Sequence, residues 1–239
     1  MNPTVAGALY VGAVKTETAS GQIVSTGVAG LDEVLYGGLL EGQFYLVEGE
    51  PGTRKTALSL QFLLEGARRG EPVLYISLSE SERKIQQVAH SHGWSLEGVT
   101  IYQYTPAEQN LSPEEQYSVF HPPDVEFHDV TQRILKEVER VHPARAVIDA
   151  LSEIRLLAGD ALRYRRQILA LKQYFANRNC TILLPDDRTL ETHDFQLESI
   201  AHGIIFEVFC RQSHGYRGRP ASDRGECRNK IKTARRSAY

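Results

Sequence analysis

The sequence predicts an α/β fold in which a mostly parallel central sheet is flanked by helices. Three observations lead there. Short apolar runs bounded by turn residues alternate with segments of helical periodicity, the order that builds parallel sheets with helices packed on them. One of those runs, "GQFYLVEG" (42–49), leads straight into "EPGTRKT", an approximation to the phosphate-binding pattern G-x-x-x-x-G-K-[ST]. Another, "ARAVIDA" (144–150), ends in an acid where a magnesium-side carboxylate would be delivered by a neighbouring strand.

Taken in order, the weakly apolar opening "MNPTVAGALYVGAV" has no basic residue before Lys15, which argues against a secretory signal. Residues 1–21 are expected to form a flexible leader, residues 22–209 the folded domain and residues 210–239 an atypical basic tail. After the strand at 42–49, "KTALSLQFLLEGARRG" places Leu58, Phe62, Leu63 and Ala67 at helical spacing and ends at Gly70. "PVLYISL" (72–78) reads as a strand, "SERKIQQVAHSHG" (81–93) as a helix and "VTIYQYT" (99–105) as a strand. Residues 106–127 hold four prolines and little periodicity, and are expected to be a long connection. A helix over "HDVTQRILKEVERVHP", the strand 144–150 and a helix at 161–179 follow. Strands at 180–187 and 203–209 close the pattern.

Composition sets the outer bounds. The 239 residues are 41% hydrophobic and 24% charged, as in ordinary globular chains. No apolar run approaches the ~18 residues of a membrane span. Cys180, Cys210 and Cys227 lie far apart without metal-ligand spacing, which suits a reducing cytoplasm. Net charge is −3, but residues 211–239 hold nine Lys/Arg against two Asp/Glu, leaving 18 basic against 28 acidic residues elsewhere. A basic tail can contact nucleic acid, although a solvated end is the commoner meaning.

The loop supplies the chemistry. Successive backbone N–H groups at a helix N-terminus surround phosphate oxygens, a lysine neutralises the outer phosphates and the next hydroxyl helps to hold Mg²⁺. Gly49, Glu50, Pro51, Gly52, Thr53, Arg54, Lys55, Thr56 and Ala57 are therefore the candidate nucleotide-binding set. Arg54 stands where the pattern has glycine. If that position needs a left-handed backbone, its side chain costs about 1–2 kcal/mol. Asp149 is the candidate second-strand acid. Glu80, at the end of "LYISLSESE", is the candidate to orient or deprotonate the attacking water, and Thr56, Asp149 and Glu80 form the candidate Mg²⁺ set. Ser79 with Glu82 matches a capping box at the start of the next helix.

Other polar residues are weaker candidates. His90 and His92 are two apart and do not share a helix face, and His121 and His128 have no recognisable ligand spacing. Trp94 reads as a packing anchor. "LRYRRQ" (162–167) reads as a solvated helix face, with phosphate or subunit binding as the alternative. Asp186, Asp187 and Arg188 sit at a strand end, where α/β sheets keep their ligands.

With these signals placed, the chain resembles the KaiC-type, circadian clock protein-like P-loop ATPases of the RecA superfamily. The likeness runs through "VSTGVAGLDEVLYGGLLEG", "GEPGTRKT", "VLYISLSESE", "HSHGW", "VIDALSEIRLLAGDALRYRRQILALKQYFANRNCTILLPDDRT" and "SIAHGIIFEV", covering about residues 22–208. It implies a RecA-like core that binds ATP and Mg²⁺, slow hydrolysis, and assembly into rings, commonly hexamers, with ATP between subunits. In clock members it also implies serine/threonine autophosphorylation. By the same resemblance Lys55 and Thr56 contact phosphate and magnesium, and Asp149 is the second-strand acid. Of the two adjacent glutamates common in the family, Ser79 replaces the first and Glu80 remains as the base. The family's Lys-x-Arg element, which reaches a neighbouring subunit, is only faintly matched by "KTARRSAY", with Arg235 as its finger.

Three readings follow. The first is an oligomeric, Mg²⁺-dependent ATPase with serine/threonine kinase activity and protein partners. The second is a nucleotide-binding or inactive scaffold that signals by contact, favoured by Arg54 and the tail. The third, a DNA-binding recombinase-like ATPase, is disfavoured by the acidic body and the lack of a basic-aromatic stripe.

Overall fold

Six parallel strands form the central sheet, as the apolar runs predict. The structure, a computed structural model, describes residues 22–104, 123–187 and 198–207. The elements are β1 (Ile23–Val24), α1 (Ala29–Val34), β2 (Leu39–Leu40), β3 (Phe44–Gly49), α2 (Lys55–Arg68), β4 (Val73–Ser77) and α3 (Glu82–Ser91). They continue with β5 (Val99–Gln103), α4 (Pro123–Val141), β6 (Arg145–Asp149), α5 (Leu151–Ala158), α6 (Ala161–Ala176), β7 (Thr181–Asp187) and β8 (Gly203–Glu207). The sheet order is β5-β4-β6-β7-β3-β8, and every neighbouring pair is parallel. Among the described residues no helix is long and apolar enough to cross a membrane.

Strands covered on both sides need apolar residues on both faces, which is why they read as near-continuous hydrophobic runs. Phe44, Leu46, Leu74, Ile76, Ala146, Ile148, Ile182 and Leu184 face one core with residues of α4, α5 and α6. The alternate positions Tyr45, Val47, Val73, Tyr75, Val147 and Leu183 face the other with Leu58, Phe62 and Leu63 of α2 and Ile85 and Ala89 of α3. On this second side the antiparallel pair β1–β2 and α1 add Val24, Leu31 and Leu39 to the same core. Asp32 organises that lead-in, accepting hydrogen bonds from the Thr26 amide at 2.8 Å and the Thr26 hydroxyl at 2.7 Å.

An ion pair closes the base of α2. Arg145 is 1% exposed, pairs with Glu71 at 2.5 Å and donates to the carbonyls of Ser25 and Phe62. Its guanidinium also lies over the Phe62 ring, 5.0 Å from the centroid. Gly66 makes room for it: a Cβ there would stand 2.7 Å from Arg145 Cδ and 2.8 Å from Val73 Cγ1.

Three local expectations are corrected. Helix α4 begins at Pro123, inside the stretch read as connection; proline is well tolerated in a helix's first turn, where its missing N–H is not needed. Helix α5 was not anticipated, because its eight residues follow directly on a strand and give only two turns of periodicity. The cap of α3 is Ser81, whose hydroxyl accepts from the Lys84 amide at 3.4 Å, and not Ser79. Glu82 is then the first helical residue, too early to close a capping box. The leader 1–21, residues 106–122 of the expected connection, and the tail lie outside the described residues.

The sheet opens at one place. The β6–β7 ladder pairs Arg145↔Thr181, Ala146↔Ile182 and Val147↔Leu183 and stops there. Two residues on is Pro185, which has no N–H to donate. Beyond the break β6 stays with β4 up to Ser77↔Asp149, and β7 stays with β3 up to Gly49↔Asp187. A crevice at the carboxyl ends of parallel strands is the usual ligand position in such sheets.

Candidate nucleotide-binding site

The loop after β3 has the shape that its sequence approximates. Gly49 ends the buried strand, the Thr53 amide bonds the Glu50 carbonyl at 3.2 Å, and Gly52 (φ 82°) turns the chain. Arg54 caps α2 with φ 73° and ψ 25°, in the left-handed region. The expected backbone strain is therefore present. Its side chain, however, is exposed to solvent. Lys55, Thr56 and Ala57 then open α2, a helical turn whose amides have no intrahelical acceptor and so suit an anion.

Lys55 lies buried across the loop. Its Nζ donates to the carbonyls of Gly49 (2.9 Å) and Glu50 (3.0 Å), lies 3.4 Å from Thr53 Oγ1 and pairs with Asp187 Oδ1 at 2.7 Å. Thr56 Oγ1 stands 3.5 Å from Asp149 Oδ2. Asp149 is buried and accepts a short hydrogen bond from the Tyr75 hydroxyl. Burial holds the Asp149 carboxyl above the usual aspartate range against the Tyr75 bond; Asp187 and Glu80 nearby push it up further and Lys55 pulls it down. Burial and the Asp149 charge raise the Tyr75 phenol well above its usual value.

Glu80 is held from both ends. The Ser77 hydroxyl donates to its carbonyl at 2.7 Å and accepts from its amide at 3.1 Å, while its carboxylate pairs with Lys84 at 2.5 Å. Residues 51–57 line a cleft of about 400 Å³ together with Ser79, Glu80, Val88, His92, Asp149, Ala150 and Asp187. Gly49 and Glu50 present their carbonyls to Lys55. Of the predicted site residues, 51–57, Glu80 and Asp149 line this one cleft, and Gly49 and Glu50 join it through Lys55.

The other candidates divide. Asp187 is in the cleft, but Asp186 faces the opposite side of the sheet and pairs with Arg155 at 2.5 Å. His92 lines the cleft and stacks on Trp94 with ring centroids 4.5 Å apart, and Trp94 packs against the α2-side core. In α6, Arg163 lies over Phe127 and Arg165 bonds Ser199. His121, Arg188 and Arg235 lie outside the described residues. Nothing in the local sequence marks Tyr75 or Ser77 as site residues. Strand alternation could have found Tyr75, since it shares a face with Asp149 once β4 and β6 are paired.

Among the described residues no three His, Cys, Asp or Glu side chains form a metal cluster. Mg²⁺ is commonly held by one or two carboxylates and by substrate phosphates. The Thr56 hydroxyl and Asp149 carboxylate are hard oxygen donors beside the lysine, so the residues present fit a magnesium-bound polyphosphate.

A strand, a phosphate loop with its lysine and hydroxyl, and an acid on a nearby parallel strand mark a P-loop nucleotide-binding protein, here one of the RecA superfamily. The chain belongs to the KaiC ATPase family: the family described as "ATPase: KaiC" matches residues 24–209. Among curated relatives, a UPF0273 protein of Pyrococcus horikoshii is 28% identical over 76% of this chain and 74% of its own length. A UPF0273 protein of Methanopyrus kandleri is 30% identical over 76% of this chain and 73% of its own. The circadian clock oscillator protein KaiC of a Picosynechococcus species is 44% identical over 33% of this chain and 15% of its own length.

Proposed function

We propose that this chain binds Mg²⁺-ATP in the cleft and hydrolyses it slowly. The observation that supports this most is the placement of Arg54. Its backbone keeps the left-handed turn that the loop needs, while its side chain stands in solvent. Lys55, Thr56 and Asp149 still converge. Lys55 would engage the outer phosphates, the amides opening α2 would hold phosphate oxygens, and Thr56 and Asp149 would hold the cation. Bound Mg²⁺ would neutralise phosphate charge and polarise a phosphoryl oxygen. Glu80, after turning from Lys84, would accept the proton of the attacking water.

Assembly into a homo-oligomeric ring, protein partners and a cytoplasmic setting belong to the same reading and rest on the family. Serine/threonine kinase activity is its outermost part, supported only by resemblance to clock members. The scaffold reading draws on Arg54 and on the tail; the tail lies outside the described residues, and the exposure of Arg54 weighs against the first ground. The test is Mg²⁺-ATP binding and turnover for the full chain, Arg54→Gly and Lys55→Ala. Arg54→Gly should stay within about tenfold of the parent in affinity, and Lys55→Ala should lose more than that. Binding that appears only in Arg54→Gly would replace the ATPase reading with the scaffold one.

A further inference from the structure

We propose that Asp187 is a positioning residue that competes with nucleotide for Lys55 and so weakens nucleotide binding. This rests on the ATP reading of the cleft.

A lysine ammonium has three N–H donors. Here the Gly49 carbonyl, the Glu50 carbonyl and Asp187 are the three nearest acceptors, at 2.9, 3.0 and 2.7 Å, with Thr53 Oγ1 farther off at 3.4 Å. A phosphate reaches Lys55 only by displacing one of them. Gly49 ends a buried strand paired on both sides, with Asp187 and with Glu207, and Glu50 follows it into the loop turn. Those carbonyls are fixed by backbone. Asp187 is the partner able to leave: its side chain is 40% exposed, and β6 no longer pairs with β7 at that level.

The Gly49↔Asp187 register fixes Asp187's backbone beside the loop. A displaced carboxylate therefore stays in the cleft with Asp149, Glu80 and the incoming phosphates. Removing its charge releases Lys55 and takes one anion away from a polyanion's site. Both effects favour the loaded state. Asp187 is thus a competitor for Lys55, set aside and not recruited when nucleotide binds.

The test compares the full chain with Asp187→Asn and Asp187→Glu by two measurements, with melting temperature as the folding control. The first is the rate at which Lys55 reacts with an amine-acylating reagent, read by peptide mass spectrometry without nucleotide. It should rise about threefold in Asp187→Asn and stay near the parent rate in Asp187→Glu. The second is calorimetric affinity for Mg²⁺-ATP and Mg²⁺-ADP, which should tighten about three- to tenfold in Asp187→Asn. An unchanged Lys55 rate overturns the proposal. So does a loss of Mg²⁺-nucleotide affinity, which would make Asp187 a cation ligand instead. Faster labelling in chains that bind no nucleotide would uphold the restraint on Lys55 and sink the ATP reading.

Discussion

At the scale of single residues, the cleft trades stability for charge. Asp149 is buried beside other carboxylates, and its proton is held more tightly in the folded chain than in the unfolded one. A raised acid stabilises the fold below its unfolded value of about 3.9, and that contribution is lost as pH rises through the higher folded value. Without divalent cations, Asp149→Asn should therefore melt above the parent at neutral pH and flatten the pH profile in this window. The same variant should lose its response to Mg²⁺. Thermal melts with chelator and with Mg²⁺ check both halves, and a variant that melts lower without cation would show that Asp149 has a stabilising charge partner. Stability given up at a working site is a common exchange.

At the scale of elements, what can be read in the sequence depends on how local the signal is. Strands β3, β4, β6 and β7 and helices α2 and α6 declared themselves, because burial on both faces or on one stripe writes a period into a short window. Helix α5 did not, since two turns give too few repeats. Ser79 and Ser81 both precede Glu82 and look alike in sequence. Ser77 decides between them by tying up the backbone at Glu80, so that the helix starts just past that tether, with Ser81 as its cap. Lys55 with Asp187 and Tyr75 with Asp149 were illegible as pairs, because strand order alone brings them together. Gly66 in α2 is of this kind too. Gly66→Ala adds a Cβ 2.7 Å from a guanidinium arm that is fully buried and tied at several points. It should cost about 1–3 kcal/mol despite alanine's better helix propensity, measured by denaturant unfolding. A neutral or stabilising result would mean that Arg145 can move.

At the scale of the whole molecule, the site draws on elements spread along the chain: the loop after β3, the ends of β4, β6 and β7, and the flank of α3. A ligand that bridges these ends binds only the folded chain and shifts the unfolding equilibrium by mass action. Mg²⁺-ATP at a hundred times its Kd should add about 2.7 kcal/mol to stability. In Lys55→Ala that increment should fall to about half or less at the same concentrations, as followed by thermal shift. An equal shift in the variant would place the nucleotide away from the loop.

The solvent-facing Arg54 with positive φ also has a consequence for sequence variation. A saturation library at position 54, selected for a folded and nucleotide-competent chain, would be filtered little by size, since the residue is exposed even though it lines the cleft. It would be filtered by branching next to the backbone. Glycine, asparagine and aspartate should be enriched, and arginine and lysine should persist. Valine, isoleucine and threonine should be purged. A family pattern written with glycine at this position would then record a backbone requirement that several unbranched residues can meet at modest cost.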